Sequence, residues 1–252
     1  MIKILSSLVL ILMLTFSSYS YAHHSQITET FVTVKPSVGA LYALEDNGNM
    51  RFLCSATAVD RKGNKTVILT AWHCVRKGVS YLINFGDNNF RPLRVWKIPH
   101  YELGPNNQRA YNEPKTDMAF FLMEGTDIPI IPMADSSNME DGELLAMVGY
   151  PLGLSKISYQ GTVAGYFDRP GSEEYNYLLM QIFGAPGSSG SSVINVNSGE
   201  IVGVLVQGRG RTGLPVIFAT PIDYRKYLEE VPNGMDTGEE EDKPTSPAEH
   251  SN

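Results

Sequence analysis

The stretch "GAPGSSGSSV", Gly184 to Val193, sets four serines and three glycines between two apolar runs, "YNYLLMQIF" and "SVINV". A serine hydroxyl is a poor nucleophile at neutral pH unless a neighbouring base takes its proton and a carboxylate orients that base. The chain has 5 histidines. His23 and His24 lie near the N-terminus and His250 lies in a polar C-terminal segment, which leaves His73 and His100. His73 closes the apolar run of "VILTAWHCV" and directly precedes Cys74. A cross-link at Cys74 would pin the backbone of His73, and a catalytic base needs that rigid placement. His100 follows a proline in "KIPHYELG" and reads as a surface histidine. Among the acids, Asp117 in "KTDMAFFLM" stands at the mouth of a strongly apolar strand, where a carboxylate is rarely placed without a partner. Asp135 and Asp141 sit in polar text and read as solvated loop acids. The glycines of "PGSSG" let backbone N–H groups converge without side-chain obstruction. The N–H groups of Gly187 and Ser189 could together form an oxyanion hole. Glycine content alone does not separate Ser188 from Ser189 as the attacking residue.

Positioning these groups falls to many short strands. The first series reads "TFVTV" (30–34), "GALYAL" (39–44), "RFLCSATAV" (51–59), "TVILT" (66–70), "YLINF" (81–85), "LRVWKI" (93–98) and "MAFFLM" (118–123). The second reads "ELLAMVGY" (143–150), "ISYQGTVAGYF" (157–167), "YNYLLMQI" (175–182), "SVINV" (192–196), "IVGVLV" (201–206) and "PVIFAT" (215–220). Turn residues separate them, and strands at this spacing indicate a sandwich or barrel. The polar, proline-bearing stretch 123–142 is a plausible bridge, so two small barrels side by side is the natural architecture. "GPNNQRAYNEPKTD" (104–117) reads as a surface loop. One convincing helix is expected, "PIDYRKYLEE" (221–230), with proline at its first position and one apolar face.

The chain of 252 residues is 42% hydrophobic and 19% charged, an ordinary globular balance. A net charge of −7 argues against a general nucleic-acid or anionic-membrane binder. "MIKILSSLVLILMLTFSSYSYA" has the charged start, apolar centre and small-x-small end of a secretory signal peptide, so the mature chain is expected to begin near His23. No cysteine follows that site to carry a lipid, and no later run is long enough to span a bilayer. The 2 cysteines, Cys54 and Cys74, allow one intramolecular disulfide, which suits an exported protein and would contribute about 3 kcal/mol. The spacing of Cys54, His73 and Cys74 matches no standard zinc pattern, and neither a metal nor a cofactor is expected. The division read from the sequence is a signal peptide at 1–22, an N-terminal barrel at 23–125, a C-terminal barrel plus helix at 126–231, and a disordered acidic tail at 232–252.

These motifs resemble those of the trypsin/chymotrypsin-like serine proteases. "LTAWHC" resembles the base motif of that family, with an upstream cysteine to pair with Cys74. "TDMAFFLM" resembles its acid motif. "PGSSGSSV" resembles its nucleophile motif, and "GEIVGVLVQG" the strand that follows and lines the substrate cleft. The order His, Asp, Ser is that of chymotrypsin. The resemblance implies an all-β fold of two six-stranded antiparallel barrels with a C-terminal helix. It implies His73 as base, Asp117 as its orienting acid and Ser189 as nucleophile, with the N–H groups of Gly187 and Ser189 as the oxyanion hole. It also implies that Val206, Gln207 and Gly208 pair with substrate backbone. Ser188 stands where animal trypsins carry an aspartate, and the expected mature start "HHSQ" lacks their inserting N-terminus. The pattern is therefore closer to the bacterial secreted branch, which includes glutamyl endopeptidases and high-temperature-requirement proteases.

The implied function is a secreted or periplasmic serine endopeptidase that acts through an acyl-enzyme on a protein or peptide substrate. No nucleic acid, membrane anchor or cofactor is expected, and the chain is expected to be a monomer. Phe183, Val206 and the region of Val216 should border the primary specificity pocket. None is acidic, which points away from Lys/Arg specificity and toward an apolar or small side chain. The alternative reading is a catalytically silent protease-like fold used for binding.

Overall fold

The computed structural model describes residues 26–76, 79–97, 117–134, 139–168, 176–208 and 216–222. Twelve strands within these residues close into two antiparallel barrels. The first is built from β1 (Val38–Leu44), β2 (Met50–Lys62), β3 (Lys65–Thr70), β4 (Ser80–Asn84), β5 (Phe90–Lys97) and β6 (Ala119–Glu124). The second is built from β7 (Leu144–Gly149), β8 (Ile157–Asp168), β9 (Asn176–Gln181), β10 (Ser192–Asn195), β11 (Ile201–Gly208) and β12 (Ile217–Pro221). Around the first barrel the order is β1-β2-β3-β6-β5-β4, and the second repeats it as β7-β8-β9-β12-β11-β10. Closure pairs each strand with a neighbour on both sides along most of its length, which lets short strands of Val, Ile, Phe and Leu remain stable in water.

β6 is buried on both faces. Phe120 packs edge-on against Trp96, and Phe121 packs edge-on against Tyr81 with ring centroids 4.9 Å apart. One contiguous core runs from inside the first barrel, through Leu41, Ile68 and Phe121, to Val148, Ile194 and Ile201 of the second. A second cluster, with Leu145, Met147, Leu178 and Met180, fills the other barrel. The connecting segment stitches the two together. The Ile131 N–H donates to the Ala58 carbonyl, and Met133 bridges in parallel to Ile201. Arg61 reaches the same segment, donating to the carbonyls of Thr126 and Ile128.

Three elements differ from the sequence reading. Residues 26–34 form a helix, α1, where a strand over 30–34 is expected. Its β-branched residues favour a strand, but Ile27, Thr30 and Val34 are all buried at helical spacing. That burial and the bond from Gln26 Nε2 to the Val196 carbonyl override local propensity. With 30–34 removed from the strands, each barrel has six. β5 begins at Phe90, so Pro92 lies inside it, opposite Leu82. Pro221 closes β12, paired with Gly203, rather than opening a helix. The remainder of the expected C-terminal helix (223–230), the signal peptide (1–22), His100, Asp135, the loop 104–116 and the acidic tail (232–252) lie outside the described residues. Among the described residues no helix is long and apolar enough to cross a membrane.

Candidate active site

His73 and Asp117 meet because their strands are neighbours. β3 and β6 are paired, and the last pair of that ladder is Thr70↔Ala119. His73 follows Thr70 by three residues and Asp117 precedes Ala119 by two, so both emerge at one end of the first barrel. There the chain makes a single 3₁₀ turn, Trp72–Cys74. Asp117 holds the histidine twice. Its Oδ2 lies 2.6 Å from His73 Nδ1, and its Oδ1 accepts the His73 backbone N–H at 2.9 Å. The double contact fixes both ring orientation and backbone. It also leaves Nε2 as the ring nitrogen turned away from the acid.

The disulfide Cys54–Cys74 anchors the same turn, joining β2 to the residue after His73 across a sequence separation of 20. Both sulfurs are buried. Cys54, His73 and Cys74 bring ligand atoms within 4.8 Å of one another, but the bonded sulfurs carry no thiolate to offer a metal.

The serine turn enters from the second barrel, between β9 and β10. Ala185 to Ser188 form a tight turn closed by the Ser188 N–H donating to the Ala185 carbonyl at 2.9 Å. Gly187, at the third position, has φ +92°, the left-handed conformation a type II turn demands there. A side chain at Gly187 would also collide with the Phe52 ring and the Tyr150 carbonyl, each 2.8 Å from the missing Cβ. Ser188 and Ser191 are fully buried, whereas Ser189 is partly exposed. The neighbouring Gly190 sits against the first barrel. The Cβ it lacks would lie 2.2 Å from Thr70 Oγ1 and 3.1 Å from the Ala71 nitrogen. The serine turn is thus seated on the residues that lead into His73. Among the described residues the N–H groups of Gly187 and Ser189 have no acceptor.

β11 runs beside this turn. The Gly190 N–H donates to the Leu205 carbonyl and the Leu205 N–H to the Ser191 carbonyl. The pairing of β10 with β11 ends at Ser192↔Val204. On its other side β11 stays paired with β12, through Gln207↔Phe218 and Gly208↔Ile217, with Val206 at the bulge. Val206–Gly208 therefore offers one strand edge with no partner among the described residues. The wall near it is apolar. Gly184 backs onto Ile217 and Leu205, and exposed Phe183 lies against Tyr159 with ring centroids 5.4 Å apart.

Sequence reasoning passes over Ser55, Thr70 and Leu152. Thr70 Oγ1 donates to the Ser55 carbonyl at 2.7 Å, and the Ser55 N–H donates to the Ser189 carbonyl at 2.9 Å. The Leu152 N–H donates to the Pro186 carbonyl at 2.6 Å. Leu152 is exposed and has φ +55°. A bulky residue held in that conformation is the kind of strain found at functional sites. None of the three carries a sequence signal, because each acts through contacts with residues distant in the chain.

Comparison with known proteins bears on the family and the fold. The model of the trypsin-like peptidase domain matches residues 54–204. A probable periplasmic serine endoprotease, DegP-like, of Pseudomonas fluorescens is 30% identical over 129 residues, covering 50% of this chain and 26% of that protein. The DegP-like protein of Marinomonas sp. is 30% identical over 125 residues, covering 46% of this chain and 26% of its own length. The chain thus spans about a quarter of the length of these curated relatives. Among solved structures, the HtrA-type protease AlgW with tripeptide superposes with a TM-score of 0.62 at 18% identity, over 81% of this chain and 61% of that one. The same protease with decapeptide gives 0.60 at 16% identity, over 77% and 63%. At such identity the structures speak for the fold of two barrels. Sequence motifs, barrel topology and the matched span converge: the chain belongs to the trypsin-like peptidase domain family.

Proposed function

We propose that this chain is an exported serine endopeptidase. Ser189 is its nucleophile, His73 its base and Asp117 its orienting acid. The observation that carries the reading is the double hold of Asp117 on His73, set beside a serine turn whose Gly187 and Ser189 N–H groups lack acceptors among the described residues. Ser189 Oγ attacks the scissile carbonyl while His73 Nε2 takes its proton. The oxyanion forms between the N–H groups of Gly187 and Ser189, donors already in place and costing no reorganisation as charge develops. His73, held by Asp117, then protonates the leaving amine. A water activated by the same histidine hydrolyses the acyl-enzyme. Every step uses these side chains, the two backbone N–H groups and water.

The substrate lies as an extended strand on the unpaired edge of Val206–Gly208. The residue before the scissile bond faces the apolar wall of Gly184, Leu205 and Ile217, with no carboxylate among them, which favours an apolar or small side chain. Residues 1–22 direct export, and the periplasmic placement of the named relatives supports an extracytoplasmic site of action. The test is turnover of unfolded casein by purified mature protein. Cleavage that disappears in Ser189→Ala supports the reading. Casein bound but left intact would instead favour the silent binding fold.

A further inference from the structure

We infer that Ser55, a buried residue of the first barrel, is the positioning residue for the oxyanion hole of the second. This role rests on the proteolytic reading above. Four successive peptide units make up the turn from Pro186 to Gly190. The two N–H donors belong to the units Pro186–Gly187 and Ser188–Ser189. In a trans peptide the N–H and C=O point in opposite directions, so fixing the carbonyl aims the donor. The Pro186 carbonyl is held by the Leu152 N–H at 2.6 Å and the Ser188 carbonyl by the Ser191 N–H at 3.0 Å. The alternating units Gly187–Ser188 and Ser189–Gly190 are both held by Ser55. Its Oγ donates to the Gly187 carbonyl at 3.0 Å, and its backbone N–H donates to the Ser189 carbonyl at 2.9 Å.

The hydroxyl has a second task. Ser55 Oγ accepts the Tyr150 N–H at 2.9 Å, and Tyr150 opens the corner that carries Leu152. One hydroxyl therefore ties β2 to both segments of the second barrel that frame the turn: the turn itself and the corner that fixes the Pro186–Gly187 unit. The carbonyl of Ser55 is fixed in its turn by Thr70, three residues before His73. Ser55 is fully buried, so water cannot replace its bonds. The residue stands next to Cys54, whose disulfide reaches Cys74. Base and oxyanion donors are thus referenced to two adjacent residues of one strand.

The test compares Ser55→Ala with Thr66→Val. Thr66 Oγ1 is likewise a buried hydroxyl of the first barrel and donates to the Gly125 carbonyl at 2.6 Å, but it touches nothing in the serine turn. Both variants should lower the melting temperature to a similar degree. Peptide-ester turnover is then measured below the unfolding transition of each. Ser55→Ala should lose about 10- to 100-fold in kcat, with KM within about twofold, because only the transition state uses the oxyanion donors. Thr66→Val should keep the wild-type kcat. Amide hydrogen exchange over 184–190 should rise in Ser55→Ala alone. An active wild type whose Ser55→Ala variant keeps wild-type kcat overturns the role of Ser55 and leaves the proteolytic reading intact. A wild type without turnover overturns the proteolytic reading and this role with it.

Discussion

Replacing Gly190 with alanine probes how tightly the serine turn is seated on the first barrel. Gly190 has φ +81°. A Cβ there would lie 2.2 Å from the Ser55 carbonyl oxygen and 2.2 Å from Thr70 Oγ1. Both overlaps fall roughly an ångström short of ordinary contact, and one is against backbone, so the turn must retreat. The left-handed conformation costs an alanine about 1 kcal/mol. Retreat also breaks the bond from the Ser55 N–H to the Ser189 carbonyl and strains that between Thr70 and Ser55, each worth about 1 kcal/mol. The expected loss of stability is about 3 kcal/mol. Moving Ser189 by an ångström relative to His73 should slow the reaction about 100-fold. Gly199 supplies the control: its φ is +74°, and a Cβ there meets nothing within 4 Å. Gly199→Ala should lose about 1 kcal/mol and leave the rate unchanged. The assay is the second-order rate of labelling by a fluorophosphonate, with thermal unfolding measured in parallel. If Gly190→Ala is labelled as fast as Gly199→Ala, the seating of the turn does not place Ser189 and the reasoning is wrong.

Three further outcomes are expected. Asp117→Asn keeps the size of the side chain but sets an amide NH₂ against one of the two donors of His73; kcat for peptide hydrolysis should fall up to about 10⁴-fold, with a change in unfolding free energy of only about 1 kcal/mol. Replacing Cys54 and Cys74 together with serine releases a loop closed across 20 residues and should cost about 3 kcal/mol, read by calorimetry as a fall of about 6–12 °C in Tm. Lys156 donates to the carbonyls of Lys35 and Phe85, and burial, then the charge of Lys35, lowers its pKa from 10.5 to about 8. Between these values the unfolded chain binds the proton that the folded protein has released, so wild-type stability should gain from rising pH in that window. Lys156→Met should flatten the gain, as seen by comparing Tm at two pH values inside it.

The fold was legible where short apolar runs were bounded by turn chemistry. "GALYAL", "TVILT" and "MAFFLM" read as strands and are strands, and the bond between Cys54 and Cys74 followed from their being the sole pair. The segment 30–34 of α1 reads as a strand because Thr30, Phe31, Val32, Thr33 and Val34 carry strand propensity. The burial of Ile27, Thr30 and Val34 decides the matter, with Ile27 and Val34 joining the contiguous core, although their helical spacing was visible. The shared strand order of the two barrels left no trace in the sequence, since topology constrains pairing and not residue identity. In the proposed site, His73, Asp117 and the glycine-framed serines stand out in the sequence because nucleophilic chemistry demands those residue types. Ser55 did not. A serine within "RFLCSATAV" is unremarkable in a strand, and its bond to Gly187 spans 132 residues of chain.

The most direct measurement of the central claim is peptide mapping of the mature protein after reaction with a fluorophosphonate. The turn holds four candidate serines, and Ser188, Ser191 and Ser192 are buried where Ser189 is not. A single phosphonyl adduct on Ser189, absent when His73 is replaced by alanine, is the predicted result. An adduct on Ser188, Ser191 or Ser192, or one on Ser189 that forms at the same rate without His73, would contradict the account.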